Sequence, residues 1–156
     1  MTAKQYLGRV HHLRRQCESL ERKIMLLRAK AEGLRAITYD KDKVMASPTN
    51  TIEEAVTELV NLEGVYRDYI LMYSDAIATL IKQINGMEDQ RHVEILTLRY
   101  IEERKTPDRY GRWTLSWMDI AKKAHMSYSV ATKLHGEALK AFAEKYLQED
   151  EKNEKK

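Results

Sequence analysis

The chain of 156 residues is 43% hydrophobic and 33% charged, with a net charge of +3. That size suits one domain or two small helical units, and so mild a basic excess allows a nucleic-acid partner without demanding one. Two Pro and six Gly fit an all-α chain, and the single cysteine, Cys17, rules out an intramolecular disulfide and suits a reducing cytoplasm. No run approaches about 18 apolar residues and the N-terminus lacks a signal-peptide core, which predicts a soluble intracellular protein with no membrane partner.

Thr2-Ala3-Lys4-Gln5 reads as a capping box that opens a long amphipathic helix. Tyr6, Val10, Leu13, Cys17, Leu20, Ile24, Leu27, Ala31 and Leu34 alternate spacings of four and three, a coiled-coil seam about 50 Å long at 1.5 Å per residue. From Thr38 to Asn50 the period is lost, and polar residues with Pro48 predict a loop. Thr51-Ile52-Glu53-Glu54 is a second capping box, which predicts a helix from there to about Ile84. Ile52, Leu59, Tyr66, Tyr73 and Leu80 repeat every seven residues, with Val56, Ile70, Ile77 and Ile84 beside them and Ala55, Leu62, Tyr69 and Ala76 widening the stripe. So wide a stripe requires more than one partner helix, either the C-terminal helices or a second subunit.

Charge supports pairing of these two helices in an antiparallel hairpin. Arg9, Arg14, Arg15, Arg22, Lys23, Arg28, Lys30 and Arg35 dominate the first; Glu53, Glu54, Glu58, Glu63, Asp68 and Asp75 dominate the second. Opposite signs favour the hetero-pair, although exposed pairs contribute little each. The basic flank of the first helix has a second reading, contact with phosphates. The hairpin, residues 1–86, is expected to fold and self-associate as a homodimer or to hold another protein.

Asn85-Gly86 ends the second helix, and Glu88 and Asp89 suit the start of a third that runs to about Glu102. Arg104 to Trp113 is a Pro- and Gly-containing loop in which Arg104, Lys105, Arg109 and Arg112 alternate with Tyr110 and Trp113. Basic and aromatic residues mixed in this way can grip a nucleic-acid backbone; the plainer reading is a surface loop with Trp113 in the core. Beyond it, Ser116-x-x-Asp119 caps a short helix carrying Trp117, Ile120, Ala121 and Ala124. His125-Met126-Ser127 breaks it, and Ser127 caps a last helix whose Ala131, Leu134, Ala138 and Phe142 share a face. Two short helices about three residues apart have the helix-turn-helix spacing. Ser129, Thr132, Lys133, Gly136 and Lys140 point away from the buried face. A mid-helix Gly costs roughly 1 kcal/mol against Ala, so Gly136 suggests a close neighbour, either a phosphate backbone or another helix. Residues 148–156 hold no apolar side chain and predict a frayed tail.

The segment Val93–Phe142 resembles the fourth conserved region of bacterial sigma factors, through Val93-Glu94-Ile95-Leu96-Thr97-Leu98-Arg99-Tyr100 and the spaced set Ile120, Ala121, Met126, Ser127, Leu134, Ala138 and Leu139. More closely, Leu134-His135-Gly136-Glu137-Ala138-Leu139 is similar to a run in phage- and prophage-encoded sigma-like proteins of Gram-positive bacteria, many described as late-gene or packaging regulators. The sequence departs from the pattern in two places: His125 stands where the turn usually has Gly, and the reading face holds fewer Arg. His visits positive φ more readily than most residues, which accommodates the first. The resemblance implies an all-α protein in which a three-helix sigma-like unit, 87–147, follows the hairpin. It also implies sequence-specific transcription regulation on double-stranded DNA, with bacterial RNA polymerase as a further partner. Ser129, Thr132 and Lys133 are the expected base readers; Tyr128, Arg104, Lys105, Arg109 and Arg112 are the expected backbone contacts, and Gly136 and Lys140 complete the surface.

Enzyme motifs are missing: no Gly-rich phosphate loop, CxxC, HExxH or nucleophile–histidine set stands in a recognisable context. His11 and His12 are adjacent, so they point about 100° apart on a helix and chelate poorly. No enzyme activity, cofactor or metal is therefore expected. Two other functions fit the same features: a protein-interaction adaptor working through the coiled coil, and the DNA-recognition subunit of a packaging terminase.

Overall fold

The structure, a computed structural model, describes residues 1–39 and 48–148, with side chains over 1–34 and 52–148. The fold is all-α. Helix α1 spans Ala3–Tyr39, α2 Pro48–Asn85, α3 Gln90–Leu96, α4 Trp117–Lys123 and α5 Tyr128–Tyr146. A π-helical turn, Thr97–Ile101, continues α3 and closes with Glu102 N–H donating to Thr97 O at 2.8 Å. Such a turn shifts the register of the faces, and here Leu98 and Tyr100 both end up buried.

Several expected helix ends are realised by their side chains. Thr2 N–H donates to Gln5 Oε1 at 2.9 Å, and Gln5 N–H returns to Thr2 Oγ1 at 3.3 Å, a reciprocal capping box. Asp89 accepts from Arg91 N–H at the start of α3. The second box differs from expectation. Thr51–Glu54 lies inside α2, because the helix already begins at Pro48, where a missing N–H loses no helical bond. Thr38 and Tyr39, expected in the loop, finish α1. The rest of that loop, 40–47, and the tail from 149 onward lie outside the described residues.

The chain divides into two compact units: Met1–His11 with the chain from Asp75 onward, and His12–Ser74. This differs from a boundary at residues 86 and 87, because the first turns of α1 and the last turns of α2 belong to the core of the C-terminal helices. Leu7, Leu80, Ile84, Ile95, Leu96, Ile120 and Phe142 are the largest fully buried side chains, and all fall in the first unit. Tyr6 packs on Phe142 with ring centroids 5.9 Å apart and donates its hydroxyl to Gln83 Oε1 at 3.0 Å. Lys145 Nζ donates to Gly86 O at 2.6 Å, and a Cβ at Gly86 would stand 2.6 Å from Tyr146 Oη. Glycine ends α2 here because a side chain would displace Tyr146.

In the second unit the heptad repeat places Cys17, Leu20, Ile24 and Ala31 of α1 in the core; Leu13, Leu27 and Leu34 are half-buried. Arg28 pairs with Glu63 at 2.6 Å, and burial with the Glu21 carboxylate pushes the Tyr66 hydroxyl up from its usual range. Higher numbers on α1 meet lower numbers on α2, so the two run antiparallel. The wide stripe on α2 is incompletely covered: Ala55 is buried, Ile52, Leu59, Tyr66 and Tyr73 are half-buried, and Ile70 is exposed.

These burials separate two leucine-sized side chains of α1. Leu7 is 0% exposed, so Leu7→Ala should lower stability by about 2–5 kcal/mol, through lost burial and a cavity. Met25 is 64% exposed, so Met25→Ala should stay within about 0.5 kcal/mol of the parent. Urea unfolding followed by circular dichroism measures both; equal losses at the two positions would contradict this packing.

Candidate nucleic-acid interface

The pair α4–α5 is built by three local devices. Ser116 Oγ accepts Asp119 N–H at 3.2 Å and donates to Asp119 Oδ2 at 2.8 Å. Ser127 Oγ accepts Val130 N–H at 3.3 Å and starts α5. Between them His125 sits at φ 54° and Met126 N–H reaches back to Ala121 O at 3.0 Å, which ends α4 in a left-handed turn. His thus fills the place usually given to Gly.

One side of α5 is committed to packing: Ala131, Leu134, His135, Ala138 and Phe142 are buried against α3 and α4. His135 is the polar member. Its Nε2 lies 3.1 Å from Tyr100 Oη, and its ring meets Trp117 edge-on with centroids 4.8 Å apart. Tyr100 stacks on its other side with His11, whose Nε2 lies 3.3 Å from Arg99 O. Arg99 places its guanidinium 4.9 Å from the Trp117 ring and donates to Leu115 O at 2.9 Å. Burial, then the positive charge of Arg99, lowers the His135 pKa from 6.5 to about 4, so the ring is neutral near pH 7 and shares one hydrogen bond with the Tyr100 hydroxyl through Nε2. His135 is a packed, hydrogen-bonded core residue.

The opposite side of α5 is open. Ser129, Lys133, Gly136 and Lys140 are exposed along it, as is Tyr128 at the first turn. Neither lysine makes an ion pair among the described residues. Among the described residues nothing lies within 4 Å of a Cβ built on Gly136, so none of them supplies the close helix that this glycine suggested. Thr132 differs from its neighbours: it is half-buried, and its hydroxyl bonds Tyr128 O and Ser129 O, both at 3.1 Å. Its one O–H is committed there, so only the acceptor lone pairs and the methyl group are left for a ligand.

The loop before α4 is more ordered than its composition suggested. An isolated antiparallel bridge joins Glu103 to Thr114, and Arg104 N–H donates to Trp113 O at 2.8 Å. Asp108 organises the tip: its Oδ1 accepts Tyr110 N–H at 2.8 Å and Arg112 N–H at 2.9 Å, and its Oδ2 takes Arg112 Nε at 2.7 Å. These bonds, led by that from the Arg112 backbone, hold the carboxyl below its usual range. Gly111 at φ 73° completes the turn. Arg109 and Arg112 then lie over the Tyr110 ring at 4.8 and 5.1 Å.

The four expected basic loop residues therefore have different situations. Arg104 fastens the loop to α4 through Asp119 Oδ2 at 2.8 Å, and Arg112 is tied to Asp108. Lys105 and Arg109 make no ion pair among the described residues. Lys105 also lines a hollow with Arg104, Asp119, Lys122 and Lys123, so α4 adds two cations outside the set expected from sequence. Their position in the last turn of a capped helix was visible; the ion pair of Lys123 Nζ with Glu102 Oε2 at 2.7 Å, which leaves Lys122 as the unpaired one of the two among the described residues, was not. Trp113 is half-buried, neither fully core nor fully exposed.

Among the described residues no cluster of three or more His, Cys, Asp or Glu is placed to hold a metal ion, and no helix is long and apolar enough to cross a membrane. Comparison with protein families, with curated proteins and with solved structures returns no match.

The buried histidine sets a pH dependence. Its folded pKa lies below the unfolded one, so the unfolded chain binds the extra proton, and the stabilisation is present above pH 6.5 and lost as pH falls toward 4. The loss by pH 4 should reach roughly 3 kcal/mol, at about 1.4 kcal/mol per pKa unit. Stability measured by urea unfolding from pH 7 to pH 4 should slope down in the parent and lose most of that slope in His135→Gln. A parallel slope in both proteins would rule this out.

Proposed function

We propose that the chain is a sequence-specific double-stranded-DNA-binding protein that regulates transcription, with the open face of α5 as its reading surface. The observation that carries this reading is the contrast between the two sides of α5. One side is locked by apolar packing and the Tyr100–His135 bond. The other presents Ser129, Lys133, Gly136 and Lys140 to solvent with their polar atoms unclaimed by ion pairs. A rigid helix with exposed donors in its first turns is the element that enters a major groove, and Lys can donate to the acceptors of a guanine edge. Lys105, Arg109 and Lys122 are the phosphate contacts of the proposal, while Arg104 and Arg112 hold the loop in shape. The resemblance to phage and prophage sigma-like regulators supports the transcriptional role and makes RNA polymerase the protein partner to test. No catalytic step belongs to this function.

Base and phosphate contacts separate experimentally. Duplex fragments of the source genome, measured by fluorescence anisotropy, identify a preferred site. Lys133→Ala should cost about 1–3 kcal/mol on that site and little on random duplex. Lys105→Ala should weaken both alike and reduce the salt slope by about 0.9 for each phosphate no longer neutralised. If Lys133→Ala folds normally and changes neither affinity nor discrimination, α5 does not read DNA. The pair α4–α5 would then be scaffold, and an adaptor function would take precedence.

A further inference from the structure

The second unit, His12–Ser74, carries two exposed flanks of opposite charge. On α1, Arg15, Arg22, Lys23 and Lys30 recur on one side with Ser19 and Leu26 between them, and no carboxylate falls on that side. On α2, Glu54, Glu58 and Asp68 recur with Asn61, Val65 and Met72, and no cation falls there within this unit. Leu26 is 71% exposed, Val65 44% and Met72 46%. None of these charged residues pairs with another described residue. The other side of the helix pair is different: its charges are mixed in sign, and two pairs are engaged, Arg14 with Glu18 at 3.0 Å and Arg28 with Glu63 at 2.6 Å.

Helix geometry places the two flanks together. The seam residues of α1 and α2 face each other, the helices are antiparallel, and Arg28–Glu63 fixes which side is the engaged one. With seven residues per two turns, the basic flank of α1 and the acidic flank of α2 then both turn to the opposite side of the two-helix layer. That side is a bipolar surface, basic along one helix and acidic along the other, with apolar residues in its centre.

We propose that this surface binds a second copy of the chain, with a two-fold axis parallel to the helices. Rotation about such an axis lays α1 of one protomer on α2 of its partner, so each basic flank covers an acidic one and the contact is made twice. The register of Arg28–Glu63 brings Lys30 to the level of Glu58, and Arg22 and Lys23 to that of Asp68 in the partner. Leu26, Val65 and Met72 close the middle. A two-fold axis across the helices would stack α1 on α1 and set cation against cation, so charge selects the parallel axis. This inference does not depend on nucleic-acid binding.

The test is a charge exchange in the full-length protein, read by analytical ultracentrifugation at low salt with helicity checked by circular dichroism. The parent should dimerise at micromolar concentration, more weakly as salt rises. Arg22→Glu with Lys23→Glu should raise the dissociation constant at least about tenfold, as should Glu58→Lys with Asp68→Lys. An equimolar mixture of the two variants should form a heterodimer, because each exchanged flank then meets its complement, and a chain carrying all four substitutions should again self-associate. A parent that stays monomeric to roughly 100 µM overturns the proposal. So does dimerisation unchanged in either double variant, or absence of association in both the mixture and the fourfold variant. A basic-flank variant that keeps its dimer but loses affinity for duplex DNA reassigns that flank to phosphates and equally overturns it.

Discussion

The first unit depends on burial of one side of α5. Ala131, Leu134, Ala138 and Phe142 give that side the shape of a continuous ridge, and α3, α4, the start of α1 and the end of α2 contribute the residues buried with it. The large fully buried side chains among these, such as Phe142, Ile95, Leu96 and Ile120, contribute roughly 1.5–3 kcal/mol each. Few other groups in the unit approach that scale, since its ion pairs are mostly exposed and contribute about 0–1 kcal/mol. The polar exception inside the ridge, His135, is tolerated because Tyr100 supplies a partner for Nε2 and burial keeps the ring neutral.

Fixing one side of a helix defines the other. Once α5 cannot rotate, Ser129, Lys133, Gly136 and Lys140 become a surface with a set direction. The same logic separates the basic residues of the preceding loop. Arg104 and Arg112 are used up in holding the loop, through Asp119 and Asp108, so their charge is largely neutralised where it stands. Lys105, Arg109, Lys122, Lys133 and Lys140, by contrast, make no ion pair among the described residues and keep their charge exposed.

The second unit has a different balance. Its core residues on α1 are mostly small or branched, Cys17, Leu20, Ile24 and Ala31, and the apolar stripe of α2 is half-covered. Such a two-helix layer buries little of its own surface, and on the side away from Arg28–Glu63 its charges are sorted by sign rather than mixed. Sorting of this kind costs solubility and repulsion within each flank unless a complementary surface is present.

The sequence by itself determined the helices, most of their caps and which positions of each helix are apolar, because those depend on neighbours three or four residues away. Thr2, Asp89, Ser116 and Ser127 act as caps for reasons visible in a few residues of sequence, and His125 takes a positive φ that the spacing required. Thr51 failed as a helix start because Pro48, also a good first residue, came earlier. Tertiary structure decided what periodicity cannot express: which helix turns pack together. Leu7 lies off the seam of α1 yet is fully buried, and Leu98 and Tyr100 are both buried on a π-helical turn that periodicity does not announce. The Arg104–Asp119 and Tyr100–His135 contacts join residues 15 and 35 positions apart. Local propensity carries no information about such meetings; only the packed chain, which fixes distance and direction together, assigns each side chain to core, brace or surface.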